Sequence, residues 1–115
     1  MSTVLTTSRG ALVHLPFRVL DSNESSGVLF VLLDPDEYVS DPEYQVQRRG
    51  GVPAVKNLRA FTVEGRPLWE AELPESADYF YRIESLTPLT ALSFSSYRCT
   101  IDRGTGKLLA KEFLK

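Results

Sequence analysis

A chain of 115 residues, 43% hydrophobic and 24% charged, is the size of one domain and can bury a core without disulfides or metal. Its formal charge of −2 and pI near 5.4 argue against nucleic acid as a partner, because proteins that bind it carry a basic patch or stripe. The single cysteine, Cys99, forbids an intramolecular disulfide, no secretory leader opens the chain, and the longest apolar run is too short to cross a bilayer, so the chain reads as a soluble cytoplasmic protein.

The first ten residues, MSTVLTTSRG, are polar and unpatterned, and they are expected to be flexible. In ALVHLPFRVL, the positions Ala11, Val13, Leu15, Phe17 and Val19 alternate with a mixed set that includes His14, Pro16 and Arg18. That is the period of a strand with one buried face. Pro16 cannot donate to a ladder, which places the strand at an edge or a bulge. Asp21 to Gly27, DSNESSG, is dense in turn formers. VLFVLL, Val28 to Leu33, is apolar on both phases, as suits a central strand covered on each side.

Asp34 to Gly51 reads DPDEYVSDPEYQVQRRGG and nearly repeats Asp-Pro-acid-Tyr. It is expected as one long acidic connection with a local turn at each Asp-Pro. DPEYQVQRR can alternatively form a short helix with Asp41 as N-cap and Pro42 at its first position. The spacing of a calcium loop fails here, since Tyr38 stands where the third acid belongs and Val39 where the glycine does. Long connections in compact domains are usually functional or disordered, and on the first reading this segment is the candidate contact surface. Asp36, Glu37, Asp41 and Glu43 would steer a basic partner, Tyr38 and Tyr44 would offer flat contact area, and Arg48 and Arg49 close the segment.

NLRAFTV and PLWEAEL then flank Glu64-Gly65-Arg66 as a hairpin. YFYRIESL, LTALSFSS, YRCTIDR and KLLAKEFLK, between Tyr79 and Lys115, read as four further strands. The last also contains good helix formers, and a helix there stays open. Tyr97, Cys99 and Ile101 share one apolar phase, which makes Cys99 a buried, inert thiol. GTGK at Gly104 to Lys107 fails as a phosphate loop, because Ile101 and Leu108 occupy the places of the required Gly and Ser/Thr. Trp69, Tyr79, Tyr81 and Tyr97 fall on inward phases of separate strands and read as core.

NLRAFTVEGRPLWEAEL and YRCTIDRGTGKLLAKEFL share one plan, with Gly65 matching Gly106, Arg66 matching Lys107 and Leu68 matching Leu109. AFTVEGRPLW, Ala60 to Trp69, and TIDRGTGKLL, Thr100 to Leu109, resemble the strand-turn-strand signature of quinoprotein-type (PQQ-like) β-propeller blades. The second unit keeps Asp102, Thr105, Gly106 and Lys107 of that signature; the first keeps Gly65, Leu68 and Trp69. The resemblance implies four-stranded antiparallel units, as in small bacterial β proteins of two such units. It does not carry over quinone binding, which is assembled from many blades, whereas this chain has room for two.

The expected fold is therefore all-β: two four-stranded antiparallel units, residues 11–74 and 78–115, packed as a sandwich or incomplete barrel with one long acidic loop. With a single histidine, His14, on a mixed strand face, no catalytic site is expected, and neither cofactor nor metal. The first functional expectation is a non-catalytic protein-interaction module that binds a basic protein through residues 34–51 and the adjacent sheet edge. An immunity-type inhibitor is one concrete form of it. The alternatives are a small-ligand binder or weak hydrolase, with His14, Tyr81 or Arg82 in a pocket between the sheets, and a structural homodimer subunit.

Overall fold

The structure, a computed structural model, describes residues 2–47 and 54–114. Among these residues the chain forms ten strands and two short helices. The strands make two four-stranded antiparallel sheets and one two-stranded ribbon.

The first sheet holds β3 (Val19–Ser25), β4 (Val28–Leu33), β5 (Leu58–Thr62) and β6 (Pro67–Glu70), in that spatial order. The polar stretch expected as a turn is mostly strand: Asp21 to Ser25 pair with Leu32 to Val28, and only Ser26 and Gly27 turn the chain. Both have positive φ, 52° and 80°, the backbone of a two-residue hairpin whose twist matches its strands. Strand β3 lies at the sheet edge, where polar side chains face water without penalty. Its composition therefore disguises it.

The second sheet holds β7 (Phe80–Leu86), β8 (Leu89–Ser93), β9 (Tyr97–Ile101) and β10 (Leu108–Phe113), in the spatial order β10-β9-β8-β7. The last segment is thus a strand, not a helix. The matched segments around Gly65 and Gly106 each join the third strand of their sheet to the fourth, with φ of 92° and 76° at the two glycines.

The opening residues depart from the flexible tail expected of them. Strand β1 (Thr3–Thr6) pairs antiparallel with β2 (Leu12–Leu15), and Ser8 N–H donates to the Glu24 carboxylate at 2.7 Å. ALVHLPFRVL is accordingly not one strand. It is β2 and the start of β3, interrupted at Pro16.

Strand β4 explains the packing. Phe30 and Leu32 point into one apolar layer with Leu58, Ala60 and Ala71, facing Phe80, Leu89, Ala91, Cys99 and Ile101 of the second sheet. Leu29, Val31 and Leu33 point the other way, against Val13, Leu15 and Phe17 of the ribbon and its extension. The first sheet is therefore covered on both faces, as its apolar strand β4 requires. Each such large side chain contributes about 1.5–3 kcal/mol on burial. The far face of the second sheet is polar instead. There Arg98 donates to Glu84 at 2.6 Å and to Glu112 at 2.9 Å, so that face needs no further layer.

Polar ties cross between the sheets. Asn57, fully buried, donates to the carbonyls of Leu33 and Phe80 at 2.9 and 2.6 Å and accepts from Phe80 N–H at 3.0 Å. The Arg103 guanidinium donates to the Ser25 carbonyl at 2.8 Å and sits 4.9 Å from the Phe30 ring centroid. Trp69 packs on Phe30 and donates its indole N–H to the Arg103 carbonyl at 2.8 Å. GTGK closes the β9–β10 turn, where Asp102 Oδ1 accepts from Gly104 N–H and the Asp102 carbonyl from Gly106 N–H.

Cys99 is fully buried. Burial, with a smaller contribution from the charge of Asp78, pushes its thiol up to about 11. At pH 8 the native protein should therefore leave Cys99 unmodified by an aromatic disulfide reagent, while the denatured chain releases one equivalent of thiolate. Rapid stoichiometric labelling of the native protein would contradict this burial.

Candidate functional site

The acidic connection is folded. Helix α1 (Pro35–Ser40) and helix α2 (Pro42–Gln47) follow one another directly, so both Asp-Pro pairs are helix starts. Asp34 Oδ1 accepts from Asp36 N–H at 2.9 Å, with Pro35 in the first turn of α1. Asp41 Oδ2 accepts from the N–H groups of Glu43 and Tyr44 at 3.1 and 3.3 Å. Asp41 also ends α1, donating its N–H to the Tyr38 carbonyl. Proline suits such a first turn because it has no N–H to leave unpaired and its φ is already helical. The acids Asp36, Glu37 and Glu43 in the first turns favour the positive ends of the peptide dipoles.

Helices of six residues do not stand alone in water, and aromatic packing supplies what they lack. Tyr38 lies 4.9 Å from Phe17 between ring centroids and meets Tyr44 edge-on at 5.9 Å. Tyr44 is buried and Tyr38 half-buried. These tyrosines, expected as outward contact area, instead hold the helices onto the ribbon side of the molecule. A cleft of about 280 Å³ lies beneath, lined by Pro16, Phe17, Tyr38, Asp41, Tyr44 and Arg59 among others. Arg59 pairs with Glu70 at 3.4 Å.

The carboxylates divide the same way. Asp34 and Asp41 cap the helices, and Asp34 also lies 3.7 Å from Arg18. Glu37 accepts from Arg18 N–H at 3.0 Å. Asp36 and Glu43 remain exposed, and neither forms an ion pair with a described residue. Val46 beside them is 63% exposed. Arg48 and Arg49 lie outside the described residues. Among the described residues, no three His, Cys, Asp or Glu side chains are grouped to hold a metal ion.

One aromatic pair lies outside the sequence-based expectations. Phe94 stacks on Tyr79 with centroids 5.0 Å apart and ring planes at 19°, and Phe94 is 64% exposed. The alternation of β8 carries its signal: Leu89, Ala91 and Ser93 are inward, so Phe94 falls on the outward phase. Buried Asp78 fixes the pair, since its Oδ1 accepts from the N–H groups of Tyr79 and Ser95 at 2.8 and 3.0 Å. Burial raises the Tyr79 phenol above its ordinary pKa, and the negative charges of Asp36 and Asp78 add to that.

The residues named for a pocket between the sheets do not assemble one. His14 is exposed on β2, and Tyr81 and Arg82 are exposed on β7. The space between the sheets is filled by Phe30, Leu32, Leu58, Phe80, Leu89 and Ile101.

Sheet pairing, covering ribbon and capped acidic helices define an all-β protein of two packed four-stranded antiparallel sheets, with no closed barrel. The chain belongs to the family described as Domain of unknown function (DUF7957), whose model matches residues 3–113. No curated protein and no solved structure matches it significantly. No helix among the described residues is long and apolar enough to cross a membrane.

Proposed function

We propose that this protein is a non-catalytic interaction module that binds a basic protein through α1, α2 and the adjacent edge strand β7. The observation carrying this reading is the division of labour among the acids. Those facing the scaffold are engaged in capping or by Arg18, while Asp36 and Glu43 point to solvent from a braced backbone. Charges held in this way raise the encounter rate with a partner of opposite sign and set its register. Asn57 fixes β7 beside the end of β4, just before α1 begins. An immunity-type inhibitor, occluding a basic effector by charge complementarity, is one form of such a module.

The test is affinity capture from the source cell with cross-linking to locate the contact, followed by titration of the purified partner. Asp36→Lys combined with Glu43→Lys should weaken binding by about tenfold or more, and added salt should weaken the wild-type complex. Both residues are exposed, so the variant should stay folded, with its unfolding midpoint lowered only slightly by the positive charge placed in the first turns of the helices. Unchanged affinity in the doubly reversed variant overturns the proposal.

A further inference from the structure

We infer that the cleft between α1, α2 and the residues after β2 is a socket for one lysine side chain of the basic partner. The inference rests on the interaction reading above and names the group that would be recognised. The cleft holds about 280 Å³, and its lining includes Phe17, Tyr38, Tyr44, Asp41, Glu43 and Arg59. Small-molecule sites begin at about 300 Å³, so this space takes a side chain rather than a cofactor.

The walls of the cleft are joined by direct contacts. Asp41 Oδ2 accepts from the N–H groups of Glu43 and Tyr44 at 3.1 and 3.3 Å, Tyr44 meets the Tyr38 ring, and Tyr38 meets Phe17. Those ring pairs stand at 82° and 43°, which makes a corner rather than a flat platform. A lysine packs its methylene stem against such rings and keeps its ammonium at the polar rim. Two carboxylates are there to receive it. Asp41 spends Oδ2 on the cap, and its Oδ1 accepts no hydrogen bond from a described residue. Glu43 is exposed and forms no ion pair with a described residue.

The chain's own arginine decides between lysine and arginine as the occupant. The Arg59 guanidinium already lies 6.0 Å from the Tyr38 ring centroid, the place where a second flat cation would stack. Arg59 is matched by Glu70 at 3.4 Å, outside the cleft lining, and donates to the Lys56 carbonyl at 3.3 Å. Its charge is therefore answered elsewhere and leaves those of Asp41 and Glu43 to the ligand. An ammonium is compact and donates in three directions, which suits the corner that remains.

The test uses the full chain and three blocked pentapeptides, glycine throughout except for a central lysine, arginine or norleucine. Amide chemical shifts are followed during titration. The lysine peptide should give saturable shifts centred on Phe17, Asp41, Glu43 and Tyr44. The arginine peptide should bind about threefold more weakly, and norleucine, which keeps the stem without the charge, should be inert. Asp41→Asn, which retains a capping side chain, and Glu43→Gln should each weaken lysine binding by about threefold, and together by about tenfold. Glu64→Gln removes the same charge from an exposed position in the turn after β5 and should leave binding unchanged. An equal loss in Glu64→Gln overturns the site, since net charge alone would then be acting. Arginine binding as tightly as lysine overturns the choice of ammonium, and shifts scattered over the surface overturn the socket altogether. With the captured partner the two readings separate. Loss of binding in the Asp36→Lys, Glu43→Lys variant but not in Asp41→Asn removes the socket and leaves the interaction module standing. Full affinity in both variants removes both.

Discussion

Replacing Asn57 with alanine should destabilise the fold by about 3–5 kcal/mol, the range for breaking a buried hydrogen-bond network. The side chain is fully buried and serves both sheets, donating to the Leu33 and Phe80 carbonyls and accepting from Phe80 N–H. Alanine leaves the Phe80 N–H without its acceptor and both carbonyls without this donor, in a layer that water does not enter. Each buried group stripped of its partner costs about 1–3 kcal/mol. Asn57→Asp is the informative companion: it keeps the volume but sets a carboxylate against two carbonyl oxygens, so it should not rescue the loss. Urea titration reads both variants. A midpoint for Asn57→Ala close to that of the wild type would show that the sheets are held by apolar packing alone.

Gly106→Ala should destabilise by about 2–4 kcal/mol, combining an unfavourable backbone with overpacking. Its φ is 76°, a region that residues with a Cβ rarely adopt. An added Cβ would stand 2.7 Å from Cδ2 and Cε3 of Trp69. The indole cannot slide away freely, because its N–H is bonded to the Arg103 carbonyl and its ring packs on Phe30. The Gly106 carbonyl also accepts from Glu72 N–H at 2.9 Å, a second link between the sheets. The matching position in the other repeat supplies the control. At Gly65 the nearest atoms to an added Cβ, Ala11 Cβ and the Leu12 carbonyl oxygen, are 3.3 Å away, so Gly65→Ala should cost less, about 1–2 kcal/mol for the left-handed backbone with mild crowding added. Equal losses at the two glycines would mean that the Trp69 contact contributes nothing.

Features governed by near neighbours along the chain are legible in the amino-acid sequence. VLFVLL declares a strand covered on both faces, and β4 divides its side chains between two layers. The alternation of Tyr97, Cys99 and Ile101 places Cys99 in the core. Asp41-Pro42 carries a recognisable helix start. Its twin Asp34-Pro35 has the same start but runs into Tyr38, Val39 and Ser40, weaker helix formers than the glutamines that follow Pro42. DSNESSG misleads for a different reason: an edge strand facing water has no apolar phase to reveal it. Strand β1 is four residues long, and only its pairing with β2 makes it a strand.

The sequence by itself determined the mainly β composition of the fold, the four strands of the second sheet, the glycine turns of the two repeats and the acidity of residues 34–47. All of these rest on backbone angles, side-chain alternation or charge, which act over a few residues. The tertiary structure alone decided which acidic-segment groups face outward. Phe17 turns Tyr38 inward and Arg18 engages Asp34 and Glu37, from positions that no local pattern connects to the helices. It likewise brought Asn57 against Phe80 of the second sheet. Residues so far apart in the chain become neighbours only when the two sheets pack, because burial of their shared apolar layer sets where each strand ends.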